Sequence, residues 1–220
     1  MDGHTFMTNG QTDGIMKVFI DLFCGLGGAS EAFIGTDWKV IRIDNNPELL
    51  NHVKGMWVLD LNDLKNVLDV IRAHLYDVNV ERLVVWASPP CTEFSMKNPD
   101  RPSDGEFDMT LLLNTLFIIA ALEEDYNLTD WIVENVRGAI QAFNKEMGPY
   151  KQNIGPFFLW GSFVPIACLD ADTRRHRKPF NSTNSKTRLR SNIHAKIPYA
   201  LSESLRESLD RQLSLARWVE

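Results

Sequence analysis

Four short apolar runs mark the first two-thirds of the chain, each ending in turn-forming or charged residues. They are KVFIDLF (Lys17–Phe23), KVIRID (Lys39–Asp44), RLVVWAS (Arg82–Ser88) and DWIVENV (Asp130–Val136). Runs this short and this continuously apolar suit strands buried on both faces of a parallel sheet. Helical patterns lie between them. GASEAFIG (Gly28–Gly35) predicts a short helix after the first strand. The stretch Asn62–Leu75 sets Leu64, Val67, Leu68, Ile71 and Leu75 on one face, and Asp108–Glu124 is strongly apolar with acidic residues at its two ends. Alternation of this kind predicts an α/β fold with a doubly wound, mostly parallel, Rossmann-like sheet. Ligands of such sheets sit beyond the carboxyl ends of the strands. Asp21, Asp44, Cys91 and Glu134 fall at those ends.

After Val136 the alternation fades. Residues 148–165 are rich in aromatics, glycine and proline, and a basic stretch follows. Near the end Leu201, Leu205, Leu209 and Leu213 recur every fourth residue, the mark of an amphipathic helix packed on the domain. The expected organisation is a polar leader over 1–16 and one domain over 17–220. Within that domain, 17–147 form the core, 148–197 an aromatic and basic segment, and 198–220 a terminal helix. A chain of 220 residues with 44% hydrophobic content suits one such domain. No stretch approaches the roughly 18 uninterrupted apolar residues of a membrane span. The polar N-terminus also lacks the basic-then-apolar order of a signal peptide.

Charge and cysteine content sharpen this outline. The net charge of −6 argues weakly against a polyanionic partner, but the distribution is lopsided. Arg174, Arg175, Arg177, Lys178, Lys186, Arg188, Arg190 and Lys196 lie in a stretch, 174–196, with no acidic residue. Such a stretch in an acidic chain is a candidate nucleic-acid face, and a solvated loop is the plain alternative. The three cysteines, Cys24, Cys91 and Cys168, are widely spaced and contain no CxxC pair. A disulfide framework and a structural zinc site are therefore not expected, and no metal is assigned. A reducing, cytoplasmic setting is.

Two constellations carry chemistry. In DLFCGLGG, Gly25, Gly27 and Gly28 permit a tight turn and close backbone approach to a ligand. The loop lacks the third spaced glycine of dinucleotide sites and the lysine of a P-loop. Asp44, roughly twenty residues on, is placed to accept from ribose hydroxyls. Asp60 could receive the exocyclic amine of an adenine. The ordered set suggests an adenosine-bearing ligand without a pyrophosphate. In the second constellation, Cys91 follows Ser88-Pro89-Pro90 at a strand end. Two prolines fix two φ angles and remove two donors, which stiffens the segment that carries the sulfur. Its polar flanks, Thr92, Glu93, Ser95, Lys97 and Asn98, suit a nucleophile better than a buried apolar filler. Glu134 ends another strand, where burial would raise its pKa and let it share a proton. Its plain alternative is a strand-end acid paired with Arg137.

Taken in order, DLFCGLGG, SPPCTEFS and ENVRG resemble the motifs of the DNA (cytosine-5)-methyltransferases, over about Lys17–Gly138. The resemblance implies a class I S-adenosylmethionine-dependent methyltransferase fold, with S-adenosylmethionine as cofactor and double-stranded DNA as partner of the 174–196 segment. Phe23 would pack on the adenine, with Asp44 on the ribose and Asp60 on the adenine amine. Asp21, Gly25, Gly27, Gly28 and Pro89 would complete the cofactor side. Cys91 would attack C6 of a flipped cytosine while Glu134 holds N3. Arg175 and Arg177 fit the family's R-x-R motif, although Arg188 and Arg190 offer the same spacing. HAKIPYALSESL looks like the tail of compact, phage-type members. No GNSV-like motif is found, and only 178–220 follow Arg177. A reduced or absent target-recognition region is therefore expected, with specificity that is short, relaxed or supplied by an accessory partner. A related branch acts on tRNA, so RNA is the alternative substrate. A catalytically inactive binding relative and a dehydrogenase-like domain are the remaining readings.

Overall fold

A computed structural model describes residues 15–96, 102, 106–126, 130–168 and 189–216. Seven strands form one sheet in the order β3-β2-β1-β4-β5-β7-β6. They are β1 (Ile15–Leu22), β2 (Trp38–Asp44), β3 (Met56–Val58), β4 (Asn79–Ala87), β5 (Asp130–Asn135), β6 (Gln152–Ile154) and β7 (Phe157–Ser162). The first five run parallel, whereas β7 is antiparallel to both β5 and β6. The order reverses between β1 and β4, which opens a crevice beyond their carboxyl ends. This is the doubly wound, mostly parallel α/β class expected from the sequence.

Helices cover both faces. On one lie α1 (Leu64–Leu75), α2 (Thr110–Tyr126) and α3 (Ile140–Met147). They bury Val67, Ile71, Ile118, Leu122 and Phe143 against Val18, Ile20, Val85 and Val133. On the other face α5 (Tyr199–Ala216) packs Leu201, Leu205 and Leu209 against Phe19, Val84, Trp86 and Ile132. The every-fourth-residue leucines therefore face the sheet; the side chain of Leu213 lies outside the described residues. Helix α1 starts where Asp63 caps it, its carboxylate accepting from Asn66 N–H at 3.2 Å. A short helix α4 (Leu189–Ala195) precedes α5. Among the described residues no helix is long and apolar enough to cross a membrane.

Several expectations are corrected. The first strand begins at Ile15 rather than Lys17, because Ile15 and Met16 pair with Asn79 and Val80 ahead of a register shift. The helix expected over Gly28–Gly35 is a single 3-10 turn, Glu31–Phe33. Ser30 stands at its N-cap but makes no capping bond, since its hydroxyl donates to Asp21 instead. The aromatic, Gly- and Pro-bearing stretch holds the β6–β7 hairpin, turning at Gly155, whose φ is +57°.

A buried ion pair locks the edge opposite the crevice. Arg82 and Asp130 are about 3% exposed, and the guanidinium contacts the carboxylate through Nε and Nη2. Arg82 Nη1 also donates to the Leu209 carbonyl at 2.9 Å. The second Asp130 oxygen accepts from Val164 N–H at 3.1 Å. One pair thus joins β4, β5, the chain after β7 and α5.

Candidate active site

The glycine loop leaves β1 through a strained residue. Phe23 has φ +56°, a left-handed conformation that costs a non-glycine residue on the order of 1–3 kcal/mol and persists only where neighbours enforce it. Cys24 N–H then donates to the Ile43 carbonyl at 3.0 Å, and Gly27 N–H to the Cys24 carbonyl at 2.7 Å, closing a tight turn. Gly25 and Gly27 have φ of +51° and +70°. A Cβ on Gly25 would meet no atom within 4 Å, so the loop faces open space there.

Two side chains of β2 clamp the loop. Asp44 Oδ2 accepts from Gly25 N–H at 2.9 Å, and its Oδ1 from Asn46 N–H at 2.9 Å. Arg42, two residues earlier on the same face of the strand, reaches the Gly27 carbonyl at 3.4 Å and the Ser30 hydroxyl at 2.8 Å. That hydroxyl donates to Asp21 at 2.5 Å. Asp21 is fully buried, and burial pushes its pKa up to about 6, against the lowering effects of Ser30 and Arg42. The expected Asp21 therefore supports the loop from beneath. Arg42 and Ser30 were not anticipated. An arginine inside an otherwise apolar strand, two residues from the key acid, was the available signal. Asp60 is exposed and accepts from Asn62 in a local turn, while Leu59 N–H donates to the Asp44 carbonyl at 3.0 Å.

The C-terminal segment closes the loop from behind. Ser202 Oγ donates to the Ala29 carbonyl at 2.6 Å and accepts from Ala32 N–H at 3.1 Å. A Cβ on Gly28 would fall 2.4 Å from the Ile197 carbonyl oxygen and 2.7 Å from its nitrogen. Backbone cannot swing aside as a side chain can. Gly28→Ala should therefore lower stability by about 1–3 kcal/mol, read as a fall in the urea midpoint at unchanged m.

The cysteine lies across the crevice at the end of β4. Ser88 N–H donates to the Leu22 carbonyl at 3.2 Å, and Pro89 is buried with its carbonyl accepting from Asn135 Nδ2 at 3.0 Å. The ENV motif thus holds the PPC motif directly. Beyond Cys91, the N–H groups of Phe94 and Ser95 donate to its carbonyl at 3.1 and 3.0 Å, forming a turn. Phe94 is buried against Phe107 and Phe143, which anchors the loop to the helical layer. Cys91 is half-buried. Burial, and then the charge of Glu134, push its thiol pKa up. Cys24 is shifted upward as well, by burial beside Asp21 and Asp44, which suits an inert core residue.

Glu134 is 8% exposed and pairs across the sheet with the fully buried Leu159. Burial pushes its carboxyl up to about 7, partly offset by a hydrogen bond from Ser88. Arg137 is exposed, so the plain strand-end ion pair is not what the described residues show. Gly25, Asp44, Cys91 and Glu134 thus gather at the carboxyl ends of β1, β2, β4 and β5. Arg175, Arg177 and Arg188 lie outside the described residues, as does the side chain of Arg190. Of the basic residues expected to form a nucleic-acid face, Lys196 is paired with Glu31 at 2.8 Å.

No family model and no curated protein matches the chain. Among solved structures, the Entamoeba histolytica methyltransferase EhMeth aligns at a TM-score of 0.39 and 16% identity, covering 70% of this chain and 55% of that one. A candidate DNA modification methyltransferase encoded within an E. coli prophage aligns at 0.41 and 20%, covering 66% of this chain and 46% of that one. The chain spans about half the length of each. The fold class itself rests on the strand order described above.

Proposed function

We propose that this protein is a DNA (cytosine-5)-methyltransferase using S-adenosylmethionine. The observation that carries this is the placing of a proline-fixed cysteine and a buried, proton-holding glutamate at adjacent strand ends, across the switch-point crevice from a glycine loop and its acid.

The residues on the cofactor side suit an adenosine-bearing group. Gly25 faces open space, and each Asp44 oxygen, already holding one backbone N–H, keeps a lone pair for a ribose hydroxyl. Phe23 and Asp60 would take the adenine, as the motif resemblance implies. When bound, the cofactor supplies an electrophilic methyl group. On the substrate side a cytosine would enter from outside the stack. Cys91 Sγ would form a bond to C6 as Glu134 passes its proton to N3, making C5 electron-rich. After C5 is alkylated, loss of the C5 proton would restore the double bond and break the Cys91–C6 bond. A thiolate suits both halves, since it adds readily and leaves readily. The basic stretch 174–196 would contact the phosphates, with Arg175 and Arg177 nearest the base.

The test is covalent trapping. A duplex carrying 5-fluorocytosine has no C5 proton to lose, so it should accumulate a protein–DNA adduct in the presence of S-adenosylmethionine. Capture of a fluorinated tRNA and no duplex would move the substrate to RNA. No adduct with either would leave a binding protein without turnover.

Glu134→Gln separates function from stability. Removing the proton donor should slow methyl transfer by about 10²–10⁴-fold. The same change should stabilise the fold at high pH. Glu134 has a folded pKa of about 7, above the ordinary 4.5. Its buried carboxyl is therefore tolerated at acid pH and opposes folding as pH rises through 7. The variant should show a higher Tm than the wild type at pH 8 and a nearly equal one at pH 5. Equal Tm differences at the two pH values would show that the carboxyl is not buried as described.

A further inference from the structure

Strand register places Ser88 beside Glu134. Val84, Val85, Trp86 and Ala87 of β4 face Asp130, Trp131, Ile132 and Val133 of β5, and the next step brings Ser88 level with Glu134. Trp86 and Ile132 belong to the α5 side of the sheet, so Ser88 and Glu134, two residues on in each strand, continue that face beyond the core. The buried Trp86 indole donates through Nε1 to Ser88 Oγ at 2.8 Å. An indole N–H can only donate, so this bond occupies an acceptor position of the hydroxyl. The hydroxyl has one proton to give. The neighbouring carboxyl of Glu134, one register step beyond the Ala87–Val133 pair and held down in pKa by Ser88, is the group placed to receive it.

We propose that Ser88 is a positioning residue for the reaction: the one-way chain Trp86 Nε1–H to Ser88 Oγ–H to Glu134 occupies one carboxyl oxygen, so that the proton of Glu134 sits on the other oxygen and is free for a substrate. This rests on reading Glu134 as the proton donor. A carboxyl with no such neighbour would place its proton on either oxygen and rotate freely between the two. The relay removes that choice. Its polarity is set by Trp86, because a hydroxyl that already accepts a hydrogen bond donates more strongly. Of the groups facing Glu134 among the described residues, Cys91 at the end of β4 is titratable, and β7 presents only the apolar Leu159.

The relay can be read without any methyl transfer. The carboxyl carbon of Glu134 is followed by ¹³C NMR in protein labelled at glutamate, its signal assigned by its absence from Glu134→Gln. Ser88→Ala should raise the titration midpoint, by roughly half to one pH unit, since a hydrogen bond to the ionised form is lost. Ser88→Thr keeps the hydroxyl and should restore the wild-type midpoint. Trp86→Phe leaves the hydroxyl in place but unpolarised and should give a smaller rise. A midpoint unmoved in folded Ser88→Ala overturns the proposal. If that variant does not fold, an unmoved midpoint in Trp86→Phe does so. In a trapping-competent protein, Ser88→Ala should also move the acidic limb of the pH–rate profile upward while KM for the cofactor stays unchanged. Because the titration needs neither cofactor nor nucleic acid, failure of the methyltransferase reading and failure of the relay are seen in different measurements.

Discussion

Cys91→Ala should abolish methyl transfer, by more than about 10⁴-fold, and remove every trace of the 5-fluorocytosine adduct, while the variant remains folded. The thiol is half-buried and its loss vacates little core, so circular dichroism and Tm should change little. The pH dependence of the wild type is the more searching measurement. Burial and the Glu134 charge hold the Cys91 thiol protonated at neutral pH, whereas Glu134 titrates near 7. The proposed mechanism needs the reverse arrangement, a thiolate beside a protonated carboxyl. Both arrangements carry one proton between them, so their ratio does not vary with pH. Below about 7 both groups are protonated and one proton must leave, so kcat/KM should fall tenfold per pH unit. Above 7 the pair holds a single proton and the rate should level off, declining only when the thiol itself ionises. In Glu134→Gln the acidic limb should move up to the Cys91 titration. A profile flat from pH 5 to 8 would exclude this pair as the acid and nucleophile.

The candidate residues of the crevice stood out in the sequence because their types are improbable in such surroundings. A Pro-Pro-Cys run ending an apolar strand, or a glutamate set among Trp131, Ile132, Val133 and Val136, has few plain explanations. The strands that carry them were legible for the same reason, since a strand buried on both faces leaves an apolar run that needs no partner to be recognised. What escaped was whatever depends on contacts between distant segments. Ser30 reads as a helix residue until Asp21 and Arg42 arrive beside it. Gly28 reads as one more flexible glycine, but its lack of a side chain is required by Ile197, far along the chain. The three-residue β3 has too little pattern to find, and it is ordered by pairing Arg42, Ile43 and Asp44 with Met56, Trp57 and Val58. The β6–β7 hairpin was hidden by its own composition. One of its aromatics, the fully buried Trp160, lies tilted against Phe143 and donates to Asn144 at 2.9 Å, which ties the hairpin to α3.

The largest effect on stability should come from Arg82→Ala, a loss of about 3–5 kcal/mol. The pair it forms with Asp130 is buried, and desolvating two charges offsets much of their attraction. Removing the arginine alone is a different matter. It leaves the Asp130 carboxylate buried, with the Val164 N–H as its remaining partner among the described residues, and it frees the Leu209 carbonyl that Nη1 had satisfied. Asp130→Asn should cost stability as well, because its single amide oxygen can accept from Arg82 or from Val164 but not from both, and the guanidinium loses its counter-charge. The double change Arg82→Met with Asp130→Leu, which removes both charges together, should recover most of the loss. Chemical denaturation of the wild type, Arg82→Met, Asp130→Leu and the double variant forms a thermodynamic cycle, and a coupling below about 1 kcal/mol would mean that the two charges are solvated independently. The cycle also reports on the site. Arg82 ties α5 to β4, and α5 with Ile197 backs the glycine loop. Partial loosening of α5 in Arg82→Ala should therefore weaken cofactor binding before the sheet unfolds, at a urea concentration where far-ultraviolet circular dichroism is still native.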